Sequence, residues 1–228
     1  MRLRYRARVV FAAAAATALA AGLATVPALA AVSAPAPGRT WTVTPGGTYL
    51  GDAHDNLWEL VDLSTNMKIK CSPESSNFSR ELVQFKSGSG LVNPIGKVTA
   101  AAFPQACMLP TGGQSFNVIP GGLPWPIRAF LYDASKGETR GKLYHVHLAL
   151  SGPTCSAVID GTGPTANDGI QSFGHFNGSD GYTSFRSGGD LHAYNVTGCT
   201  GFLSSGDPVA ILYAYSLTGN TAPTITSP

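Results

Sequence analysis

Val209-Ala210-Ile211-Leu212-Tyr213-Ala214-Tyr215-Ser216-Leu217 is the stretch that decides the fold class. Read as an extended chain, it puts Val209, Ile211, Tyr213, Tyr215 and Leu217 on one face. Ala210, Leu212, Ala214 and Ser216 fall on the other. Both faces are largely apolar, which predicts a central strand covered on both sides. The stretch 143–150 reads the same way, with Tyr144, Val146, Leu148 and Leu150 on one face and Leu143, His145, His147 and Ala149 on the other.

Further runs of period two lie at 41–44, 57–63, 68–71, 81–86, 96–103, 115–119, 127–132, 156–159, 172–176 and 191–196. Turn signals such as Pro45-Gly46-Gly47, Gly88-Ser89-Gly90 and Ser179-Asp180-Gly181 separate them. No window after residue 30 sustains apolar spacing at helical period. About a dozen short strands at this spacing predict an all-β protein, an antiparallel β-sandwich or β-barrel.

The N-terminus reads differently. Arg2, Arg4, Arg6 and Arg8 precede an apolar, Ala-rich run from Val9 to Val26, and Ala28-Leu29-Ala30 supplies small residues for cleavage. Residues 1–30 are therefore expected to be an export signal, and the protein to be secreted, with no membrane span once the signal is removed. Residues 31–39 read as a disordered linker, 40–218 as the all-β domain and 219–228 as a flexible tail.

Charge must be read on the processed chain. Fifteen basic residues face thirteen acidic ones in the whole sequence. Without the four signal arginines, eleven face thirteen, a net of about −2. Lys68 and Lys70 are then the densest basic cluster, so no basic stripe is legible and nucleic acid is not an expected partner. Asp52, Asp55, Glu59 and Asp62 form an acidic run whose spacing fits no EF-hand loop; it is expected to be a solvated edge.

Export would let the four cysteines oxidise. They allow three pairings. Cys71–Cys107 with Cys155–Cys199 is preferred because it keeps each bridge inside one half of a faint internal repeat, 40–122 and 127–218. With the signal, Thr-Val-Thr-Pro-Gly-Gly at 42–47, Gly122-Leu123-Pro124-Trp125 and the stretch Leu191-His192-Ala193-Tyr194-Asn195-Val196-Thr197-Gly198-Cys199, the chain resembles a family of small secreted actinobacterial proteins. That resemblance spans nearly the whole processed chain. It implies secretion and an all-β fold and brings no site residues with it.

Two chemical candidates follow from the residues. His145 and His147 stand at i and i+2, so on a regular strand both imidazoles face one way and could share a metal. His175 and His192, on later strands, could complete the site with copper or zinc. Tyr144-His145-Val146-His147 and Gly174-His175-Phe176-Asn177 look like copper-ligand segments of copper/zinc superoxide dismutases. That dinuclear site needs six histidines, and this chain has five. The second candidate is Trp125, as an aromatic platform for a ligand. No Gly-x-Ser-x-Gly elbow is present. The expected role is therefore non-catalytic: binding or envelope structure without a cofactor, with a cell-wall or glycan surface as partner and a groove lined by Tyr or Trp.

Overall fold

The computed structural model describes residues 38–71, 80–103, 107–108, 115–186, 189–199, 201–218 and 221–228, with the backbone alone at 55–57 and 115. The expected signal 1–30, and residues 31–37 of the expected linker, lie outside the described residues. Among the described residues there are sixteen strands and no helix. In order they are β1 (Trp41–Thr44), β2 (Gly47–Asp62), β3 (Lys68–Lys70), β4 (Arg80–Phe85), β5 (Gly88–Leu91), β6 (Gly96–Ala102), β7 (Cys107–Met108) and β8 (Ser115–Gly121). There follow β9 (Trp125–Asp133), β10 (Glu138–Ser151), β11 (Ser156–Asp160), β12 (Gly169–Phe176), β13 (Thr183–Arg186), β14 (His192–Thr197), β15 (Val209–Thr218) and β16 (Thr224–Thr226). No helix among the described residues is long and apolar enough to cross a membrane.

The pairings close into rings, all antiparallel. One circuit runs β2, β4, β6, β9, β10, β12, β13, β15 and back to β2. This is an eight-stranded barrel. A second circuit runs β2, β3, β7, β8, β10, β11, β14. It returns to the start of β15 through the His192–Pro208 bridge and the bonds Ala193 N–H to Asp207 O (2.9 Å) and Val209 N–H to Leu191 O (2.9 Å). The barrels are fused along β2, β10 and β15, which belong to both. This sharing explains why β2 and β10 run to 16 and 14 residues, well beyond the usual five or six.

A strand shared by two barrels must bend where it passes from one to the other, and bulges supply the bends. In β10 the register with β12 slips between Tyr144 and Val146, leaving His145 as the extra residue at φ 63°. Between β2 and β15 it slips where Tyr213 faces Trp58 but Tyr215 faces Ala53. The bulge corrects the face assignment of 143–150. Leu143 is buried together with Val146, Leu148 and Leu150, because one extra residue reverses the parity of everything beyond it.

The first barrel is filled by its own side chains, as an eight-stranded ring allows. Tyr49, Phe85, Trp125, Phe173, Phe185, Tyr213 and Tyr215 are all buried, and Phe185 stacks on Tyr213 with centroids 4.2 Å apart. Glycines make the room: a Cβ on Gly51 would stand 2.9 Å from the Tyr215 ring, and one on Gly141 would run into Phe173. The second barrel is filled by residues such as Leu60, Ile69, Phe116, Leu148, Ile159 and Ile211. Residues 35–228 form one compact unit. The halves 40–122 and 127–218 are not lobes, since each barrel draws strands from both.

The two disulfides are Cys71–Cys107 and Cys155–Cys199, the preferred pairing. Both lie in the second barrel, whose seams are thin. Among the described residues β3 meets β7 through one residue pair, Lys70–Met108, and Cys71–Cys107 crosses that seam. Cys155–Cys199 ties the β11–β14 pair beside the short β14–β15 closure. The first barrel, held by longer ladders, contains no bridge.

The tail departs from expectation. β16 pairs with β1, and β1 with β5, in a separate three-stranded sheet. Ile225 is fully buried; its N–H donates to Asn177 Oδ1 (2.7 Å), while Asn177 Nδ2 (3.0 Å) and the Thr139 hydroxyl (2.6 Å) donate to its carbonyl. A Thr-Ile-Thr triplet shows no strand pattern of its own. Partners on β10 and beside β12 order it.

Replacing Cys155 and Cys199 together with Ser should lower unfolding free energy in urea by about 4 kcal/mol, the loop-closure value for 44 residues. Hydrogen exchange should accelerate in β11 and β14 while the β9–β10–β12 amides stay protected. An unchanged midpoint would contradict the bracing role.

Candidate functional site

The four candidate histidines do not assemble. His145 is the exposed bulge residue, so it does not share a face with His147. His175 lies inside the first barrel, 1% exposed. Its Nε2 faces the Pro223 carbonyl at 2.9 Å and its Nδ1 the Thr183 hydroxyl at 2.9 Å, so both ring nitrogens are engaged. His192 Nδ1 lies 3.1 Å from its own loop's Asp190 carbonyl. Among the described residues no group of three or more His, Cys, Asp or Glu side chains is arranged to hold a metal. The i, i+2 argument fails at the bulge, and strand order keeps His175 and His192 apart.

His147 has a partner that sequence reading did not single out. Its Nδ1 lies 2.8 Å from Asp160 Oδ2, and Asp160 is fully buried. The same carboxylate accepts backbone N–H bonds from Gly161 (2.7 Å), Asn167 (2.9 Å), Asp168 (3.1 Å) and Gly169 (3.2 Å). Five donors saturate it. Burial acts to raise the Asp160 carboxyl; the His147 bond and the backbone bonds outweigh burial and hold it below its ordinary value. Opposite a carboxylate, Nδ1 carries the proton and Nε2 is left as an acceptor. Among the described residues no hydroxyl is hydrogen-bonded to that Nε2. What the pair does here is pin the loop 161–168 against β10.

The surroundings are tight. A Cβ on Gly122 (φ 67°) would stand 2.8 Å from Asn167 Oδ1 and 3.1 Å from the His145 carbonyl. Asn167 (φ 50°) and His145 themselves occupy the left-handed region. Three such residues meet where β10 changes barrels. The sequence signal for Asp160 is slight: an acid closing the apolar run Ala157-Val158-Ile159.

Two buried ionisable groups sit in the first barrel. Glu81 is 1% exposed. Tyr213 donates to its Oε1 at 2.7 Å, and its Oε2 has no hydrogen-bond partner. Burial pushes the carboxyl up to about 7, against the lowering effect of the Tyr213 bond. Burial also pushes His175 down to about 4, and holds the Tyr213 and Tyr215 phenols well above their ordinary value. Sequence reading did not single out Glu81; the signal for it is period two, which places it on one face with Val83 and Phe85.

Trp125 is no platform. It is 1% exposed, and its Nε1 donates to the Gly121 carbonyl at 2.9 Å. Trp41 and Trp58 are buried as well. The acidic run on β2 is not a solvated edge throughout: Asp52 is partly exposed and pairs with Arg80 at 3.1 Å, while the Asp55 side chain lies outside the described residues. Glu59 and Asp62 are buried, Glu59 holding Lys68 and Lys70 at 3.3 Å each, and Asp62 capping the following turn through Ser64 N–H at 2.7 Å. One concave feature on the outside, among the described residues, is a groove of about 350 Å³ between Lys86, Lys97, Pro94, Pro124 and Pro126. Inside the first barrel a cavity of about 10 Å³ remains among Phe85, Leu143, Phe173, His175 and Tyr215, room for one water at most. Comparison of the chain with protein-family models, curated proteins and solved structures found no match.

Asp160→Ala strands four backbone donors and should cost about 3 kcal/mol or more in urea unfolding. His147→Ala removes one bond of five and should cost about 1 kcal/mol. Equal losses would mean that His147, not the backbone cradle, governs the loop.

The buried pair gives a second test. Between about 4.5 and 7 the folded state holds a Glu81 proton that the unfolded state has released, so stability falls as pH rises. Between about 4 and 6.5 the unfolded state binds a His175 proton that the folded state refuses, so stability falls as pH drops. Each slope is about 1.4 kcal/mol per pH unit, and they oppose each other. Relative to wild type, Glu81→Gln should therefore lose about 3 kcal/mol more on going from pH 6.5 to 4.5. Parallel profiles for the two proteins would refute the opposition.

Proposed function

We propose that the protein is a secreted, non-catalytic binding protein that acts through the outer surface of a rigid double barrel, with a cell-wall or glycan surface as its partner. The observation that carries this reading is the filled interior. Small barrels that enclose ligands leave a chamber for them, whereas here the chamber is occupied by aromatic side chains down to about 10 Å³. This supports binding on the exterior, where the 350 Å³ groove falls within the usual size of ligand sites. Two disulfides bracing the thinner barrel suit a protein working outside the cell.

The purified protein should be retained by insoluble cell-wall or polysaccharide fractions and released by soluble fragments of the same material. Stoichiometric copper or zinc, lost on His147→Ala, would overturn this reading in favour of a metal protein. Absence of retention on every fraction would also overturn it.

A further inference from the structure

The cations of the domain are sorted by partner. Lys68 and Lys70 lie on Glu59, Arg80 on Asp52, Lys136 on Asp133 and Arg140 on Glu138. Arg39, ahead of β1, donates to the Phe130 carbonyl at 2.9 Å, and the other five, Lys86, Lys97, Arg128, Lys142 and Arg186, make no ion pair among the described residues. All five belong to the first barrel and point outward, because the residues alternating with them, such as Phe85, Val98, Ile127, Leu143 and Phe185, are buried.

Register brings three of them into line. Arg128 on β9 faces Lys142 on β10, Lys142 faces Ser172 on β12, and Ser172 faces Arg186 on β13. The row crosses four strands, about 14 Å at the usual inter-strand spacing. Lys97 faces Pro126, one outward position before Arg128 on β9, so the row runs on into the groove that holds Lys86 and Lys97. The Arg128 guanidinium lies over the Tyr144 ring, 5.0 Å from its centroid, which limits its freedom without neutralising it. The acids on the outer face of these strands, Asp133 and Glu138, face each other and are already held by Lys136 at 3.7 Å and Arg140 at 2.9 Å.

Resting on the surface-binding reading above, we infer that this cationic wall and the adjoining proline groove are the contact site, and that the partner is an acidic polysaccharide. Carboxylates spaced along a flexible chain match cations spaced across strands. Pro94, Pro124 and Pro126 offer apolar ground for sugar rings between the charges. A barrel wall is convex, so a flat anionic membrane meets it only along a line. Bases of a nucleic acid would need open aromatic faces, and Tyr144, the aromatic ring beside the row, is already covered by Arg128. The rest of the domain is net acidic, which repels a stiff polyanion extending past the wall.

The test is binding of the full protein to polygalacturonate, with dextran, inorganic polyphosphate and single-stranded DNA alongside. Saturable binding to polygalacturonate is expected, weakened at least tenfold by 0.5 M NaCl. The Arg128→Gln, Lys142→Gln, Arg186→Gln variant should bind at least tenfold more weakly at unchanged melting temperature. A control removing as many paired cations, Lys70→Ala, Arg80→Ala, Lys136→Ala, should stay within about twofold. No binding to polygalacturonate, equal binding by the triple Gln variant, or tighter binding to polyphosphate or DNA would overturn the inference. Retention on neutral cell-wall material that the Gln variant keeps would sink this site while leaving the broader surface-binding reading intact.

Discussion

Antiparallel hydrogen bonding around two rings at once is the constraint to which the remaining features answer. β2, β10 and β15 each supply one segment to each barrel, so they must be long, and they must bend between the rings. The bend in β10 is one residue, His145, held at positive φ. That residue reverses the facing of the rest of the strand, so Val146 and Leu148 enter the core and His147 turns toward Asp160. A change of pairing partner, from β12 to β11 and from β9 to β8, becomes a change of side-chain direction.

The two rings are stabilised by different means. The first has long ladders and an aromatic interior made possible by Gly51 and Gly141, and it tolerates a buried acid and a buried imidazole whose pH effects run in opposite directions. The second has strands of two and three residues at β7 and β3, where few hydrogen bonds cross the seam. Covalent bridges stand at or beside its two weakest joins. The terminal strand β16 secures the far end of the first ring through Asn177 and Thr139 rather than through any propensity of its own.

Charge follows the same geometry. On the second ring and along β2, lysines and carboxylates are used up locally, as at Glu59. On the outer wall, Arg128 of β9, Lys142 of β10 and Arg186 of β13 remain unpaired by acids among the described residues. A near-neutral chain thus presents one cationic surface, and the groove between three prolines lies beside it. Among the described residues the cavity inside the first ring has room for one water at most, so the proposal rests on surface chemistry.

Much of the fold was legible in the residues: the lack of helix among the described residues, most of the strands and the doubly covered β15 follow from period-two patterning. Those are local properties, and side-chain alternation records them directly. The cysteine pairing, by contrast, was one of three, preferred on a faint repeat whose halves are not lobes. Ring closure, the bulge at His145 and the strand status of Gly88–Leu91 and Thr224–Thr226 depend on partners far along the chain, so no window of sequence contains them. For the same reason the candidate residues fared unevenly. Trp125 and His175 carry recognisable chemistry but lie in the core, while Asp160 gains its importance only when four amides of a later loop converge on it. Arg128, Lys142 and Arg186 are scattered over nearly sixty positions, and only strand register sets them in a row.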